Sequence, residues 1–286
     1  MNNTLCIKGL TKTFDNFKLN NINMVIPKGS IMGLIGENGA GKTTLIKCIL
    51  NLIKKDSGNI NVLDFDIDNS DEIYKEYIGV VFDECLFNEV YNSKDINKIF
   101  KGIYKNWNES EFFSYIKKFN IDEKKKIKEY SKGMKMKLSI AVALSHNAKF
   151  LILDEAMSGI DPIVRNEILD IFMDFIQNDE NSILISSHIT SDLEKICDYI
   201  TFIHNGEIFA SRNKDLFIEE YGILKCGNDE FENIDKEDIL SVRKNNFNVE
   251  ILVDKKYKMK NKYKNFIIDN VTLEDIMMFV IKGERV

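Results

Sequence analysis

Residues 36–43, GENGAGKT, fit the spacing G-x-x-x-x-G-K-[ST], which is typical of loops that cradle phosphate groups. They lie between an apolar segment, SIMGLI, and an amphipathic one, TTLIKCILNLI. Glycines let backbone N–H groups turn inward without a Cβ in the way, and the N-terminus of the following helix adds positive charge. Lys42 would reach the β- and γ-phosphates of a nucleotide, and Thr43 would hold Mg²⁺. We therefore predict nucleotide contacts from Gly36, Glu37, Asn38, Gly39, Ala40, Gly41, Lys42, Thr43 and Thr44.

A second group suited to phosphate chemistry is the apolar run Phe150–Glu155 (FLILDE), which ends in two carboxylates. Asp154 would position Mg²⁺, and Glu155 would orient or deprotonate the water that attacks phosphorus. Taken alone, such an acidic pair is as often the solvated end of a strand, because charged side chains are usually exposed. The functional interpretation of this acidic pair therefore depends on the other motifs in the chain.

Further elements accompany it in a definite order. The segment YSKGMKMKL places Ser131 and Gly133 at the start of an amphipathic helix, where a hydroxyl and exposed amides form an anion site. SGID follows the acidic pair directly, His188 follows the apolar run ILISS, and Phe14 lies near the N-terminus in TKTF. A lone histidine or aromatic residue is more often structural, so only the order and spacing of the whole set give these residues a functional meaning.

This ordered set resembles the ATP-binding subunits of ABC transporters over residues 1 to about 210. By that resemblance GENGAGKT is the Walker A loop, FLILDE is Walker B, YSKGMKMKL is the signature and SGID is the D-loop. His188 is similar to the switch histidine that contacts the γ-phosphate, and Phe14 lies where the family stacks an aromatic ring on adenine. The signature variant is similar to that of bacterial drug, peptide and lipid exporters of the bacitracin-resistance type.

One position departs from the family pattern. Most relatives carry Gln after the strand that is here Ile78–Phe82, yet this chain has Asp83, as do some exporter ATPases with this style of signature. A carboxylate can ligate Mg²⁺ as an anionic oxygen donor, so Asp83 joins Thr43 and Asp154 as a candidate metal ligand. The apolar residues that follow are expected to line a docking groove for the membrane subunit or, alternatively, to cap a helical core. They are Leu86, Phe87, Val90 and Tyr91.

The elements that must position these residues alternate along the chain. Apolar runs rich in β-formers alternate with helical patterns, as expected for a parallel sheet covered by helices. The runs are Ser30–Ile35, Ile78–Phe82, Phe150–Leu153 and Ser182–Ser187. Spacings typical of helix N-termini occur at Asn108 with Glu111, at Ser191 with Glu194, and at Asp161 followed by Pro162.

We predict an α/β fold. The resemblance implies an ABC-type P-loop ATPase core, in which a RecA-like core with a parallel sheet carries an antiparallel β subdomain and a helical signature subdomain. We assign residues 1–212 to this ATPase domain, with the helical subdomain at about 84–145. Residues 213–286 are assigned to a small α+β C-terminal extension, by subtracting an ordinary domain length.

Within the extension, Phe247–Val253 alternates like a strand and Leu273–Ile281 has the pattern of a short helix. Lys255–Lys264 (KKYKMKNKYK) alternates at strand period, which predicts the solvated side of a hairpin. Its interleaved tyrosines leave contact with anionic lipid or RNA as the alternative.

The composition is that of a folded protein, with 44% hydrophobic and 29% charged residues among 286. Charged or amide side chains interrupt every window of about 20 residues, which argues against a membrane-spanning helix. The N-terminus lacks the features of a secretion signal, and five cysteines without a CxxC pair suit a reducing compartment. The net charge of −6 argues against a nucleic-acid partner, so none is expected. We expect a peripheral protein at the cytoplasmic face of the membrane, held there by membrane subunits.

The resemblance implies ATP and Mg²⁺ as ligands, with Glu155 and His188 as catalytic residues. It also implies two ATPase subunits, in a homodimer or a heterodimer, with each ATP between one chain's P-loop and the other's Ser131 and Gly133. The membrane partner would be a transmembrane permease subunit encoded separately. The alternatives are a non-transport ABC ATPase acting on ribosomes, DNA or iron–sulfur assembly, and an ATP-binding regulator. The sequence shows neither the tandem ATPase domains nor the coiled-coil insertion that are typical of non-transport ABC ATPases. Glu155, as a candidate catalytic base, disfavours a regulator that only binds ATP.

Overall fold

The computed structural model describes residues 3–70, 72–245 and 248–284. Up to residue 213 its strands and α-helices are β1 (Asn3–Phe14), β2 (Phe17–Pro27), β3 (Ile31–Ile35), α1 (Lys42–Ile49), β4 (Ser57–Val62), β5 (Phe65–Asp66), β6 (Ile78–Phe82), α2 (Ser93–Ile103), α3 (Glu109–Lys118), α4 (Lys132–Leu144), β7 (Phe150–Asp154), α5 (Pro162–Phe175), β8 (Ser182–Ser187), α6 (Thr190–Ile196), β9 (Tyr199–His204) and β10 (Glu207–Asn213). The later elements are α7 (Lys214–Glu220), β11 (Gly222–Cys226), β12 (Ser241–Lys244), β13 (Val249–Val253), α8 (Lys256–Lys262), β14 (Ile267–Asp269) and α9 (Leu273–Lys282).

The central sheet has the strand order β10–β9–β3–β8–β7–β6, and all its neighbours are parallel except β9 and β10. Strands β3, β7 and β8 are buried along their whole length, which explains their continuous apolar runs. The register pairs Asp154 with Phe82 on one side and Ser186 on the other, and it pairs Ile35 with Ser187. The residues that follow these strands therefore lie along one carboxyl edge. The predicted α/β fold with a parallel sheet is confirmed.

Two further layers flank this sheet. An antiparallel sheet of order β2–β1–β4–β5 shares a hydrophobic core with α1 and one face of the central sheet. Helices α2, α3 and α4 lie in sequence between β6 and β7, and their core continues to the opposite face of the central sheet. In residues 3–70, 72–245 and 248–284, no helix is long and apolar enough to cross a bilayer.

Two of the three predicted helix starts are confirmed. The Asn108 side chain accepts a hydrogen bond from the Glu111 N–H, and Asp161 caps α5 with Pro162 in its first turn. The start predicted at Ser191 and Glu194 is wrong, because α6 begins at Thr190 and its N-cap provides no side-chain hydrogen bond. The Glu194 carboxylate instead accepts a hydrogen bond from the backbone of α9.

The C-terminal segment forms its own antiparallel sheet, of order β12–β13–β11–β14. The predicted strand is present as Val249–Val253, whereas Phe247 lies outside the described residues, and the predicted helix is present as α9. The hairpin predicted over Lys255–Lys264 is wrong, because these residues contain α8. Met259 and Tyr263, four residues apart, are buried, so the helical period governs this segment despite the alternating lysines.

A buried histidine joins the helical layer to the segment that precedes β6. His146 is fully buried, and its ring stacks on Tyr104 with centroids 3.9 Å apart. Its Nδ1 lies 3.1 Å from the carbonyl oxygen of Glu76, which can only accept, so Nδ1 carries the proton. Burial lowers the pKa of His146, so the folded protein favours the neutral ring.

We predict that acidification through the ordinary histidine pKa, about 6.5, lowers the free energy of unfolding, since the unfolded chain takes up a proton that folded His146 excludes. His146→Phe keeps an aromatic ring against Tyr104 but cannot titrate. It should lose stability at neutral pH, because it lacks the hydrogen bond to Glu76, and yet lose less than wild type on acidification. Urea unfolding at about pH 7.5 and 5.5 measures the difference, and an equal loss in both proteins would contradict the assignment.

Candidate functional site

The loop between β3 and α1 has the backbone shape that its glycines predict. Gly39 and Gly41 have φ angles of 84° and 111°, a region that side chains disfavour. A Cβ on Gly36 would come within 2.4 Å of the Ile203 carbonyl oxygen, and one on Gly41 within 2.8 Å of the Phe17 ring. The loop therefore requires glycine at these positions, which leaves its backbone N–H groups free of neighbouring Cβ atoms.

Lys42, the first residue of α1, is only 5% exposed. Its Nζ donates to the carbonyl oxygens of Gly36 at 2.8 Å and Glu37 at 3.0 Å, and it lies 3.1 Å from Glu155 Oε1. A charge this deeply buried requires partners. The loop and the acidic end of β7 are thus joined by this ammonium group.

One serine of the neighbouring strand bonds both acidic residues at the end of β7, Asp154 through its carboxylate and Glu155 through its backbone N–H. Ser186 Oγ donates to Asp154 Oδ1 at 2.7 Å and accepts from the Glu155 N–H at 3.0 Å. Asp154 is 4% exposed, so it is not the solvated strand end that the sequence left open. The sequence pattern did not reveal this role of Ser186, although a polar pair at the end of an apolar strand was a signal.

His188 lies in the two-residue link between β8 and α6. Its Nδ1 is 2.7 Å from Glu155 Oε2, and because a carboxylate only accepts, Nδ1 carries the proton. Glu155 therefore has one oxygen toward Lys42 and the other toward His188. Its φ angle of 53° is unusual for a residue with a side chain and is evidence of local strain.

The loop opens on a cleft of about 550 Å³ in which predicted nucleotide residues meet the predicted catalytic glutamate. The cleft is lined by Asn16, Phe17, Asn38, Gly39, Gly41, Lys42, Thr43, Thr44 and Glu155. The aromatic residue of this lining is Phe17, whereas Phe14 is 42% exposed at the end of β1 with its ring centroid 6.4 Å from that of Phe17. The sequence pattern did not reveal Phe17, nor the contact of 2.9 Å between Glu37 Oε1 and His204 Nδ1 of β9.

The signature residues lie outside the lining of this cleft. Ser131 is exposed at the N-cap of α4, and its Oγ accepts from the Met134 N–H at 3.2 Å. Gly133 faces α5, where an added Cβ would lie 3.3 Å from Val164 Cγ1. A capped, exposed helix N-terminus is suited to an anion that approaches from outside the chain.

The three predicted metal ligands do not share one lining. Thr43 lines the phosphate cleft, whereas Asp83 lines a separate groove of about 440 Å³ with Lys132 and Lys135 of α4. Asp154 ends β7, which pairs with β6, the strand that precedes Asp83. Across the described parts of the chain, no three His, Cys, Asp or Glu side chains cluster as a metal site.

Comparison with known proteins assigns the family. The ABC transporter family model matches residues 19–158. The lantibiotic transport ATP-binding protein SrtF of Streptococcus pyogenes is 36% identical over 215 residues, which cover 74% of this chain and 91% of that protein. This chain belongs to the ABC transporter ATP-binding proteins. The resemblance to this family, inferred from the order of the motifs, is confirmed.

A further relative and a solved structure support the assignment of this ABC ATPase to the family. The bacitracin transport ATP-binding protein BcrA of Enterococcus faecalis is 31% identical over 211 residues, 72% of this chain and 68% of that protein. Among solved structures, cbiO1 of Clostridium perfringens, part of the ABC transporter complex cbiONQ, superposes with a TM-score of 0.66 at 27% identity. The superposition covers 77% of this chain and 92% of cbiO1. The protein is thus a nucleotide-binding, ATP-hydrolysing subunit of an ABC transporter.

We predict that Gly41→Ala weakens ATP binding at least about tenfold, because the new Cβ would meet Phe17 and Leu19 at 2.8 Å on a backbone with φ 111°. Gly102→Ala in α2 is the matched control, since an added Cβ there meets nothing within 4 Å. It should bind ATP as wild type does. Titration with a fluorescent ATP analogue measures both, and equal affinities would contradict the assigned loop geometry.

Proposed function

We propose that this subunit powers export through a separately encoded membrane permease, with Glu155 and His188 carrying out hydrolysis. The observation that supports hydrolysis by these residues is the line of contacts from Lys42 to Glu155 at 3.1 Å and from Glu155 to His188 at 2.7 Å. It links the lysine that would hold the phosphates to a carboxylate that can accept a proton. The loop, the acidic pair and the histidine form one site.

In the proposed reaction, ATP lies with its phosphates against the loop backbone and Lys42. Glu155 orients a water and accepts its proton as the water oxygen bonds to the γ-phosphorus and the bond to the ADP oxygen breaks. His188 donates to Glu155 Oε2, which keeps that carboxylate turned toward the site. Phe14 and Phe17 are proposed to contact the adenine, since Phe17 lines the cleft and the Phe14 ring centroid lies 6.4 Å from that of Phe17.

Mg²⁺ would be held by the Thr43 hydroxyl and Asp154, with Asp83 as a further candidate. The fit rests on the donor set: oxygen ligands with few carboxylates suit Mg²⁺, which usually takes one or two carboxylates together with substrate phosphates. Ser186 fixes one oxygen of Asp154 and leaves the other available. Bound there, Mg²⁺ would neutralise charge on the phosphates.

A second ATPase subunit completes the proposed site. Ser131 and Gly133 begin α4 on a surface that does not line the phosphate cleft of the same chain. In a head-to-tail pair, the corresponding residues of the other subunit would meet the γ-phosphate, so that ATP holds the two chains together and its hydrolysis releases them.

We predict that Glu155→Gln lowers ATP turnover by about 10²–10⁴-fold, the usual contribution of a general base. The variant should also accumulate as a dimer with Mg-ATP, because it binds ATP without consuming it. Steady-state ATPase assays and size-exclusion chromatography with light scattering measure both effects. The control is Glu219→Ala, an exposed residue of α7 that should match wild type. Wild-type turnover in Glu155→Gln would refute the assigned base, and a monomer with bound ATP would refute the composite site.

Export, and a peripheral position at the cytoplasmic face of the membrane, are supported by the family and by surface chemistry. The relatives include ATPases named for lantibiotic and bacitracin transport. After β6, Leu86 and Val90 are 72% and 58% exposed, whereas Phe87 and Tyr91 pack against the core. We propose that Leu86 and Val90 receive a helix of the permease.

The docking proposal predicts that Leu86→Glu with Val90→Glu reduces the fraction of protein that sediments with membranes when the chain is co-expressed with the permease subunit of its transporter. Mg-ATP binding should be unchanged, because neither residue lines the cleft. Ile267→Glu is the control, since it replaces an equally exposed apolar residue, at 67%, on β14. Equal loss of membrane association in both proteins would argue against this surface.

A further inference from the structure

His188 lies between the end of β8 and the start of α6. Its side chain is 46% exposed and contacts Glu155 at 2.7 Å. His188 directly follows β8, and only Ile189 separates it from α6, so a shift in the start of α6 moves the residue next to the histidine.

Helix α6 cannot maintain this position unaided. It has seven residues, and its N-cap, Ile189, provides no side-chain hydrogen bond. Isolated helices shorter than about 12–15 residues are marginal in water. Its stability must therefore come from the elements that it contacts.

One of those elements is α5. Asp192 of α6 is nearly buried and lies 3.4 Å from Arg165 Nη1. Arg165 Nη2 also donates to the Ile160 carbonyl at 3.0 Å, in the loop that follows Glu155. Through Arg165, α6 is therefore connected to the loop that follows the acidic pair Asp154 and Glu155.

The other element is the C-terminal segment. Helix α9 packs against α6 and β9, and Leu193, Ile276 and Phe279 are fully buried in the core that they share. Glu194 Oε1 accepts the backbone N–H of Leu273, the first residue of α9, at 2.9 Å. That N–H has no partner within its own helix, and the helix dipole favours a carboxylate there. Lys214 Nζ donates to the Glu194 carbonyl oxygen at 2.6 Å, which adds a second link to this segment.

We infer that Glu194 is a positioning residue for ATP hydrolysis, because its contact with α9 fixes α6 and thereby holds His188 against Glu155. The C-terminal segment would thus influence the chemical step without touching the nucleotide. This inference rests on the proposed role of His188. It gives the part of the chain beyond residue 213 a role in the reaction.

The test compares Glu194→Ala with Glu194→Gln, which keeps a carbonyl oxygen for the Leu273 N–H. Glu194→Ala should lower kcat about three- to tenfold, the factor that corresponds to one lost helix-capping contact, with KM for ATP unchanged. Glu194→Gln should retain most of the activity. Lys195→Ala, an exposed neighbour on α6, is the matched control and should equal wild type.

A His188→Ala background separates positioning from a general loss of stability. If Glu194 acts through His188, adding Glu194→Ala to His188→Ala should lower single-turnover hydrolysis no further, because the two effects are not additive. An undiminished additional loss, or equal kcat for Glu194→Ala and the Lys195 control, would overturn the inference. If His188→Ala itself hydrolyses ATP as wild type does, the proposed role of His188 fails, and the inference fails with it.

Discussion

The site depends on one shared carboxylate, Glu155, which lies between a buried ammonium group and a histidine. Lys42 is almost fully buried, and burying a charge is costly unless it is paired and hydrogen-bonded. Its partners come from the loop after β3 and from the end of β7, whereas His188 follows β8. Three separate segments can meet in this way because parallel strands end at the same edge of a sheet. The order β3–β8–β7 is therefore a requirement of the chemistry as well as a property of the fold.

Local backbone strain at the site is compatible with this arrangement because the strands around it are rigid. Glu155 has a positive φ, and its N–H donates to both Oγ and the carbonyl oxygen of Ser186. Two hydrogen bonds to a fully buried strand hold the residue in a conformation that a free chain rarely adopts. The same serine orients the Asp154 carboxylate, so β8 fixes that side chain and the backbone of Glu155 together.

The sequence predicts those parts of the site that depend on local patterns. The glycine spacing, the acidic pair and the histidine after an apolar strand are each legible within a few residues, and the helix starts at Asn108 and Asp161 follow from local hydrogen bonds. Ser186, Phe17 and His204 could not be identified in this way, because their roles arise from contacts between distant strands.

The two errors in the sequence prediction have related causes. At Glu194, the spacing of a helix cap was present, but its carboxylate serves α9, 79 residues away. In α8, alternating lysines imitated a strand, although the buried side chains of Met259 and of Tyr263, the residue after the helix, follow the helical period. In both cases a tertiary contact overrides a local pattern. Glu194 also shows why such errors are informative: a carboxylate that does not cap its own helix is available to connect two parts of the chain. Here that connection joins the helix after His188 to α9, so a failed local prediction marks the contact through which the C-terminal segment can affect hydrolysis.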